Sequence, residues 1–269
     1  MTSLVQKKFG EAAADYAASA VHATGPSLAR LLELVETKPT WRMLDIATGA
    51  GHTALAFAPK LAKATASDIT PEMLQQARQL AKERGLSNVV TAQAPADDLP
   101  FPDTSFNLVT CRLAAHHFPD PEKFVREAAR VLIPGGSFAL VDNISPDEQD
   151  PVSPDEQDLV SRDKKGLADA YNAFEKLRDP SHGRCLGLQE WSDLIRNAGL
   201  TPIVTEVLDQ DIPFDPWVER MRCTEATVAR LKEMLGSEPL RAFLRPRETE
   251  DGLTFSLREA ILVAAKPRT

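Results

Sequence analysis

Apolar and polar positions change rhythm several times along this 269-residue chain, and each change marks an element. Up to about Glu36 the spacing is helical. Ala-rich "EAAADYAASAVHA" leads into "TGPSLARLLELVE", where Leu28, Leu31, Leu32 and Val35 share one face and Ser27 stands where a cap belongs. From Trp41 onward, short apolar runs alternate with amphipathic stretches. "WRMLDIA" is a strand, "ATASD" ends a second, "NVVTAQA" is a third, "FNLVTC" a fourth and "SFALVD" a fifth. Between them, "TPEMLQQARQLAKERG" is a helix with Thr70 as N-cap, Pro71 in first position and Gly85 just past its end. "DPEKFVREAARVL" is another, capped by Asp120 before Pro121, and "PGG" turns the chain into the fifth strand. Alternating strands and helices imply a parallel sheet with helices on both faces, and ligands of such sheets sit at the carboxyl ends of the strands.

After Asp142 the alternation stops. The six residues "SPDEQD" occur at Ser145 and again at Ser153, a local duplication in an acidic surface linker. A helix then runs to about Leu177, with Leu167, Tyr171, Phe174 and Leu177 on one face. "LGLQEWSDLIRNAGL" is a helix closed by Gly199, and "PIVTEVL" and "REAILVAAK" read as strands. "DPWVERMRCTEATVARLKEMLG" between them reads as one helix capped by Asp215 and started by Pro216, and a short helix follows Ser237. The charges on these later helices read as solvated faces.

Composition narrows the partners. A chain of this length, 43% hydrophobic, supports one large α/β domain with an appendage, or two small domains. A net charge of −8 without a Lys/Arg cluster argues against a nucleic-acid partner, because phosphate binding needs a basic footprint. Cys111, Cys185 and Cys223 are odd in number and far apart, which suggests reduced thiols in a cytoplasmic protein and no metal site. The N-terminus lacks the apolar core of a secretory signal and no window holds eighteen apolar residues, so no integral membrane contact is expected. A homodimer is left open.

The stretch "RMLDIATGAGHTALAFA" carries the first chemical signal. Gly49, Gly51 and Ala54 fit the GxGxxA turn of a nucleotide-type site, and Asp68, some twenty residues on, is placed to hold ribose hydroxyls. A dinucleotide would set a pyrophosphate beside this turn, where the Asp45 carboxylate would repel it. A carboxylate suits a ligand with a positive amino group, such as S-adenosyl-L-methionine, whose methionine end is zwitterionic and whose sulfonium is cationic.

"LDIATGAGHTAL", "ASDITPEML", "DDLPFPDTSFNLVTCRLAAHHF" and "EAARVLIPGGSFALVD" together resemble, in order and spacing, the class I S-adenosylmethionine-dependent methyltransferases, in particular the ubiquinone/menaquinone-biosynthesis type and its small-molecule relatives. The resemblance covers roughly residues 5 to 145. "FEKLRDPSHGR" and "EWSDLIRNAGL" look like an uncharacterised bacterial branch of that superfamily. It implies an α/β fold: a Rossmann-like, seven-stranded, mostly parallel sheet with helices on both faces and an antiparallel strand in the last pair. It further implies an N-terminal helical lid over residues 1–36, a cofactor-binding core over 37–145, and helical cap insertions plus the final two strands over 146–269, all in one continuous domain. By position, Asp45, Ala47, Gly49 and Gly51 would line the methionine end and Asp68 would take the ribose. Ile69 and Met73 would lie against the adenine, Ala96 and Asp97 at its edge, and Leu113 beneath the sulfonium. Tyr16, with His22 nearby, would belong to the lid. Two positions depart from the pattern: Ala47 replaces a frequent glycine, and Pro95 a frequent aspartate, a role that would pass to Asp97 or Asp98.

Methyl transfer is an in-line displacement, so alignment matters most, and a base is needed only if the acceptor must lose a proton. His116 and His117 follow the fourth strand, where the methyl group should point, and only one of them would face inward from an extended segment. His182 is a third candidate base. Arg178 and Arg184, with Asp179, would favour an anionic acceptor; Trp217 and Arg220 would form another substrate wall. Packing and backbone hydrogen bonds are the competing role for each. The sequence therefore points to methyl transfer to oxygen or carbon of a small-molecule acceptor, aromatic, quinone-like or anionic. The alternatives are an S-adenosylmethionine-binding protein with regulatory or non-methyl chemistry and, remotely, an NAD-dependent oxidoreductase.

Overall fold

Eight strands form one sheet in the computed structural model, which describes residues 3–18, 23–147, 164–250 and 252–268. They are β1 (Arg42–Ile46), β2 (Lys63–Asp68), β3 (Val89–Gln93), β4 (Phe106–Arg112), β5 (Leu132–Asn143), β6 (Thr201–Pro213), β7 (Arg247–Thr249) and β8 (Gly252–Ala265). Their order is β3-β2-β1-β4-β5-β8-β6, with β7 attached to β8. The first five strands pair in parallel, and β8 runs antiparallel to β5, β6 and β7. This is the expected Rossmann-like sheet with one short strand, β7, added. Met43, Leu44 and Ile46 of central β1 are all buried, as a parallel strand covered on both faces requires.

Helices cover both faces: α1 (Leu4–Glu11), α2 (Ala13–Ala18), α3 (Pro26–Leu34), α4 (His52–Phe57), α5 (Pro71–Glu83), α6 (Pro121–Val131), α7 (Lys164–Arg178), α8 (Leu188–Asn197), α9 (Phe214–Arg220), α10 (Glu225–Leu235) and α11 (Leu240–Leu244). One core joins Leu44 and Phe138 to Phe124 of α6 and Trp191 of α8. On the opposite face Met43 and Ile261 meet Leu31 of α3 and Phe57 of α4. A third core, around Tyr171, Phe174, Trp217 and Phe255, belongs to the last third of the chain. No described helix is long and apolar enough to cross a membrane.

Several helix ends follow the sequence signals. Asp120 accepts the Lys123 N–H at 2.9 Å, and Thr70 precedes Pro71 at the start of α5. Others differ. Helix α3 starts two residues earlier than a Ser27 cap requires, with Gly25 at the N-cap and Pro26 in first position; Ser27 is buried and hydrogen bonds to Glu259 instead. Residues 215–236 form two helices, not one. Thr224 caps the second by accepting the Thr227 N–H, and Arg222 takes a left-handed φ of 53° at the break. Asp215 and Pro216 lie inside the first turn of α9, where a missing N–H costs no helical bond. Glu175 of α7 is buried rather than solvated.

The largest difference is the length of β6 and β8. Strand β5 ends at Asn143 opposite Glu259, whereas β8 begins at Gly252. Residues 254–258 with their partners on β6, and 252–254 with β7, therefore rise past the carboxyl edge of the parallel sheet as a narrow ribbon. Leu253, Phe255 and Leu257 alternate with polar residues there, a period-two signal that the shorter reading passed over. The ribbon and helices α7 and α9–α11 stand over the edge where a ligand is expected. The second copy of "SPDEQD", and His22, lie outside the described residues.

Candidate active site

A cavity of about 390 Å³ opens at the carboxyl ends of the first strands, within the range of small-ligand sites. Its floor is the turn after β1. Ala47 and Gly49 have φ of 50° and 55°, and the Thr48 N–H donates to the Ser67 carbonyl at 2.8 Å. The left-handed backbone suits Gly49 but strains Ala47, the position where glycine was expected. A Cβ on Gly49 would meet only the Met73 sulfur at 4.0 Å, so the backbone lies open to the cavity. Asp68, at the end of β2, lines this floor and accepts the Gly49 N–H at 2.9 Å and the Thr70 N–H at 2.8 Å.

Ile69, Met73, Ala94, Pro95 and Ala96 make an apolar slot beside Asp68, with Asp97 at its edge. Asp98 is exposed and takes no part in the lining. At the other end stand Thr48, Thr53 and Arg112, a residue the sequence reading passed over; its Nε donates to Thr53 Oγ1 at 3.1 Å. Its position at the end of β4 was the available signal. Ser3, Val5 and Phe9 of α1 close the cavity, and Gln6 Nε2 ties that helix to the Ile69 carbonyl at 3.0 Å.

Two expected contacts are indirect. Asp45 does not reach the cavity: it is buried at the end of β1 and accepts the Thr48 hydroxyl at 2.5 Å and the Thr110 hydroxyl at 2.6 Å. Burial pushes its carboxyl up to about 6, against the pull of those hydroxyl bonds. Gly51, with φ 90°, caps α4 away from the lining. A Cβ there would meet the Ala77 Cβ at 2.9 Å, so this glycine serves the packing of α4 on α5. Tyr16 belongs to α2, but its side chain lies outside the described residues.

Leu113, at φ 55°, Phe9 and His117 form a wall shared with a second, smaller chamber. His116 and His117 sit in a 3-10 turn, Ala115–His117, and both line that chamber; only His117 also lines the first cavity. His116 Nδ1 lies 2.6 Å from Asp142 Oδ1. Burial would push the His116 imidazole down, but the Asp142 carboxylate outweighs it and the net direction is up. His117 Nδ1 lies 3.1 Å from the Ser181 carbonyl, and burial with the neighbouring His116 pushes its ring down to about 3.

The remaining candidates divide. Arg178, Trp217 and Arg220 line the chamber. Arg178 lies over the Trp217 ring at 4.5 Å, with its Nη2 3.5 Å from Glu175. His182 lies outside both linings: its ring stacks on His116 at 5.5 Å, its Nε2 is 3.0 Å from Asn172 Oδ1, and burial drives it down to about 2. Arg184 turns to the surface and pairs with Glu190, so it does not join Arg178 in an anion site. Asn143 and Glu259 complete the polar side of the chamber, and the sequence reading named neither. Among the described residues no three metal-binding side chains converge.

A methyltransferase-domain family model matches residues 44–140. Over 212 residues the chain is 40% identical to an uncharacterised methyltransferase, YcgJ, of Bacillus subtilis, with 79% of this chain and 78% of that one aligned. The crystal structure of YcgJ superposes with a TM-score of 0.80 at 33% identity, covering 90% of this chain and 99% of that one. An uncharacterised protein of Escherichia coli, YafE, is 34% identical over 68% of this chain and 80% of its own. The demethylmenaquinone methyltransferase of Thermus thermophilus is 39% identical over 115 residues, 42% of this chain and 52% of its own.

Proposed function

The chain belongs to the class I S-adenosylmethionine-dependent methyltransferases, and on that footing we propose that it methylates a small molecule whose reacting group enters the chamber of about 70 Å³ beside His116 and His117. The observation that carries this reading is the shared wall. Phe9, Leu113 and His117 border both cavities, so a methyl carrier in one meets an acceptor in the other.

The first cavity fits S-adenosylmethionine. Asp68 would hold the ribose hydroxyls, the slot of Ile69, Met73 and Ala96 the adenine, and Asp97 its edge. The open backbone at Gly49 and the guanidinium of Arg112 would receive the methionine end, with the Asp45 charge one layer beneath. When bound, S-adenosylmethionine would supply a methyl carbon activated by its sulfonium, with sulfur as the leaving group that keeps the C–S electron pair. Helix α1 acts as the lid, since its residues line the cavity and Gln6 clasps the Ile69 carbonyl.

His116 is the base. Asp142 holds its Nδ1 proton and raises its affinity for a second proton at Nε2. An anionic acceptor loses support, because Glu175 faces Arg178 and Arg184 is at the surface. An aromatic or quinone-like acceptor gains some from the flanking rings of Phe9 and Trp217 and from the likeness to the Thermus enzyme. Calorimetric titration with S-adenosylmethionine, S-adenosylhomocysteine and NAD tests the cofactor. Micromolar binding of the first two and none of NAD is expected; binding of NAD alone would sink the reading.

A further inference from the structure

The histidines differ in which ring nitrogen the protein already uses. A carbonyl oxygen only accepts, so the 3.1 Å contact from His117 Nδ1 to the Ser181 carbonyl makes Nδ1 the donor and leaves the lone pair on Nε2. His116 spends Nδ1 on Asp142, again leaving Nε2. His182 is the reverse: Asn172 Oδ1 accepts the Cys185 N–H at 2.7 Å, which fixes that amide and makes His182 Nε2 its second donor. The two histidines that line the chamber therefore both offer Nε2 as an acceptor, on rings whose centroids are 4.3 Å apart.

One further acceptor, Asn143, lines the chamber, and Asp179 lies behind His117. Asn143 Oδ1 is buried without a hydrogen-bond partner among the described residues, and so is Asp179 Oδ2, 3.9 Å from His117 Nε2. Arg178 Nε, a donor of the same lining, is likewise buried without a partner, but the open acceptors beside it, His116 Nε2, His117 Nε2 and Asn143 Oδ1, are satisfied by a ligand that brings donors. Resting on the reading of His116 as base, we propose that the acceptor carries hydroxyl groups on two adjacent carbons, one donating to His116 Nε2 and its neighbour to His117 Nε2. Rings this close match neighbouring hydroxyls better than hydroxyls at opposite ends of a six-membered ring. The first oxygen gains the methyl group as its proton passes to His116 Nε2. His117 exchanges no proton and fixes which oxygen is presented.

The test is calorimetry on the protein saturated with S-adenosylhomocysteine, using two series: catechol against resorcinol and phenol, and cis-1,2-cyclohexanediol against cyclohexanol, with benzoate as the anionic control. The vicinal member of at least one series should bind about tenfold tighter than its counterparts, and His117→Phe should erase that difference. Ring 15N NMR of the wild type should place His117 as the neutral Nδ1–H tautomer from about pH 5 to about pH 8. Equal binding within both series, no binding of any probe, a preference for benzoate, or an Nε2–H tautomer at His117 would each overturn the proposal. Tight diol binding without methyl transfer from S-adenosylmethionine would support the diol site and overturn the base assigned to His116, so the two failures are separable.

Discussion

Asp68 carries one load in the fold and is assigned a second in the proposed site. Both carboxylate oxygens already accept backbone N–H groups, from Gly49 and Thr70, so the side chain is fixed before any ribose arrives. Asp68→Ala is expected to weaken S-adenosylmethionine binding by about 2–4 kcal/mol, read by calorimetry; an unchanged dissociation constant would remove the ribose role. Burial outweighs the hydroxyl bonds to Asp45 and pushes its carboxyl up to about 6. Its folded pKa lies above the unfolded one, so it favours the fold at low pH, and that contribution is lost as pH rises through about 6. The ionised form also attracts a cationic ligand end, so cofactor affinity should rise between about pH 5 and about pH 7. A flat affinity across that window would show that the charge is not felt. His116 works the other way round. Its folded pKa is raised by Asp142, so the pair's stabilisation is full below the ordinary histidine value and is lost as pH rises through the raised one. As the proposed base His116 must be neutral, so turnover should climb through an apparent pKa above 6.5. Asp142→Asn should move that limb to lower pH and slow turnover by about 10²–10⁴-fold.

At the scale of elements, one glycine pattern serves two purposes. Gly49 opens the backbone to a ligand, whereas Gly51 lets α4 lie against α5. Gly51→Ala would combine a left-handed φ of 90° with a 2.9 Å approach to the Ala77 Cβ. A loss of about 2–4 kcal/mol in denaturant unfolding is expected, with cofactor affinity of the folded fraction little changed. Equal stability would mean that α5 can move aside. The 3-10 turn after β4 explains why adjacent histidines both reach one chamber: an extended segment would have sent them to opposite sides, but a turn brings their rings to 4.3 Å.

For the whole molecule, the chamber proposed for the acceptor is made by distant parts of the chain. Phe9 comes from the N-terminal helix, Leu113 and the histidines from the edge of the parallel sheet, Ile212 and Leu257 from the projecting ribbon, and Arg178 and Trp217 from the cap helices. The cap has its own core, in which Phe174 stacks on Trp217 at 5.2 Å. Phe174→Ala removes about 3–5 kcal/mol of packing from that core. Hydrogen exchange should then speed up in α7 and α9–α11 and leave β1–β5 protected, while cofactor binding persists and acceptor turnover falls. Uniform loss of protection would mean that cap and sheet unfold as one unit.

The sequence by itself determined what depends on near neighbours. Strand-and-helix alternation specified the parallel sheet, Thr70 with Pro71 and Asp120 with Pro121 specified two helix starts, and the spacing from Gly49 to Asp68 specified the floor of the first cavity, because one turn and one strand end suffice to build that floor. Tertiary structure decided the rest. Which nitrogen of His116 or His117 stays open depends on Asp142, from the next strand, and on Ser181, from the far side of the linker. Arg184 and His182 share a short motif with Arg178, yet only Arg178 reaches the chamber, because the fold of that segment sets each side chain's direction. Asp45 and Gly51 carry the motif's spacing but lie outside the cavity lining, since burial and helix packing claimed them first. Charge and spacing are local properties of a chain; proton affinity and exposure are set by whatever the fold packs against a group.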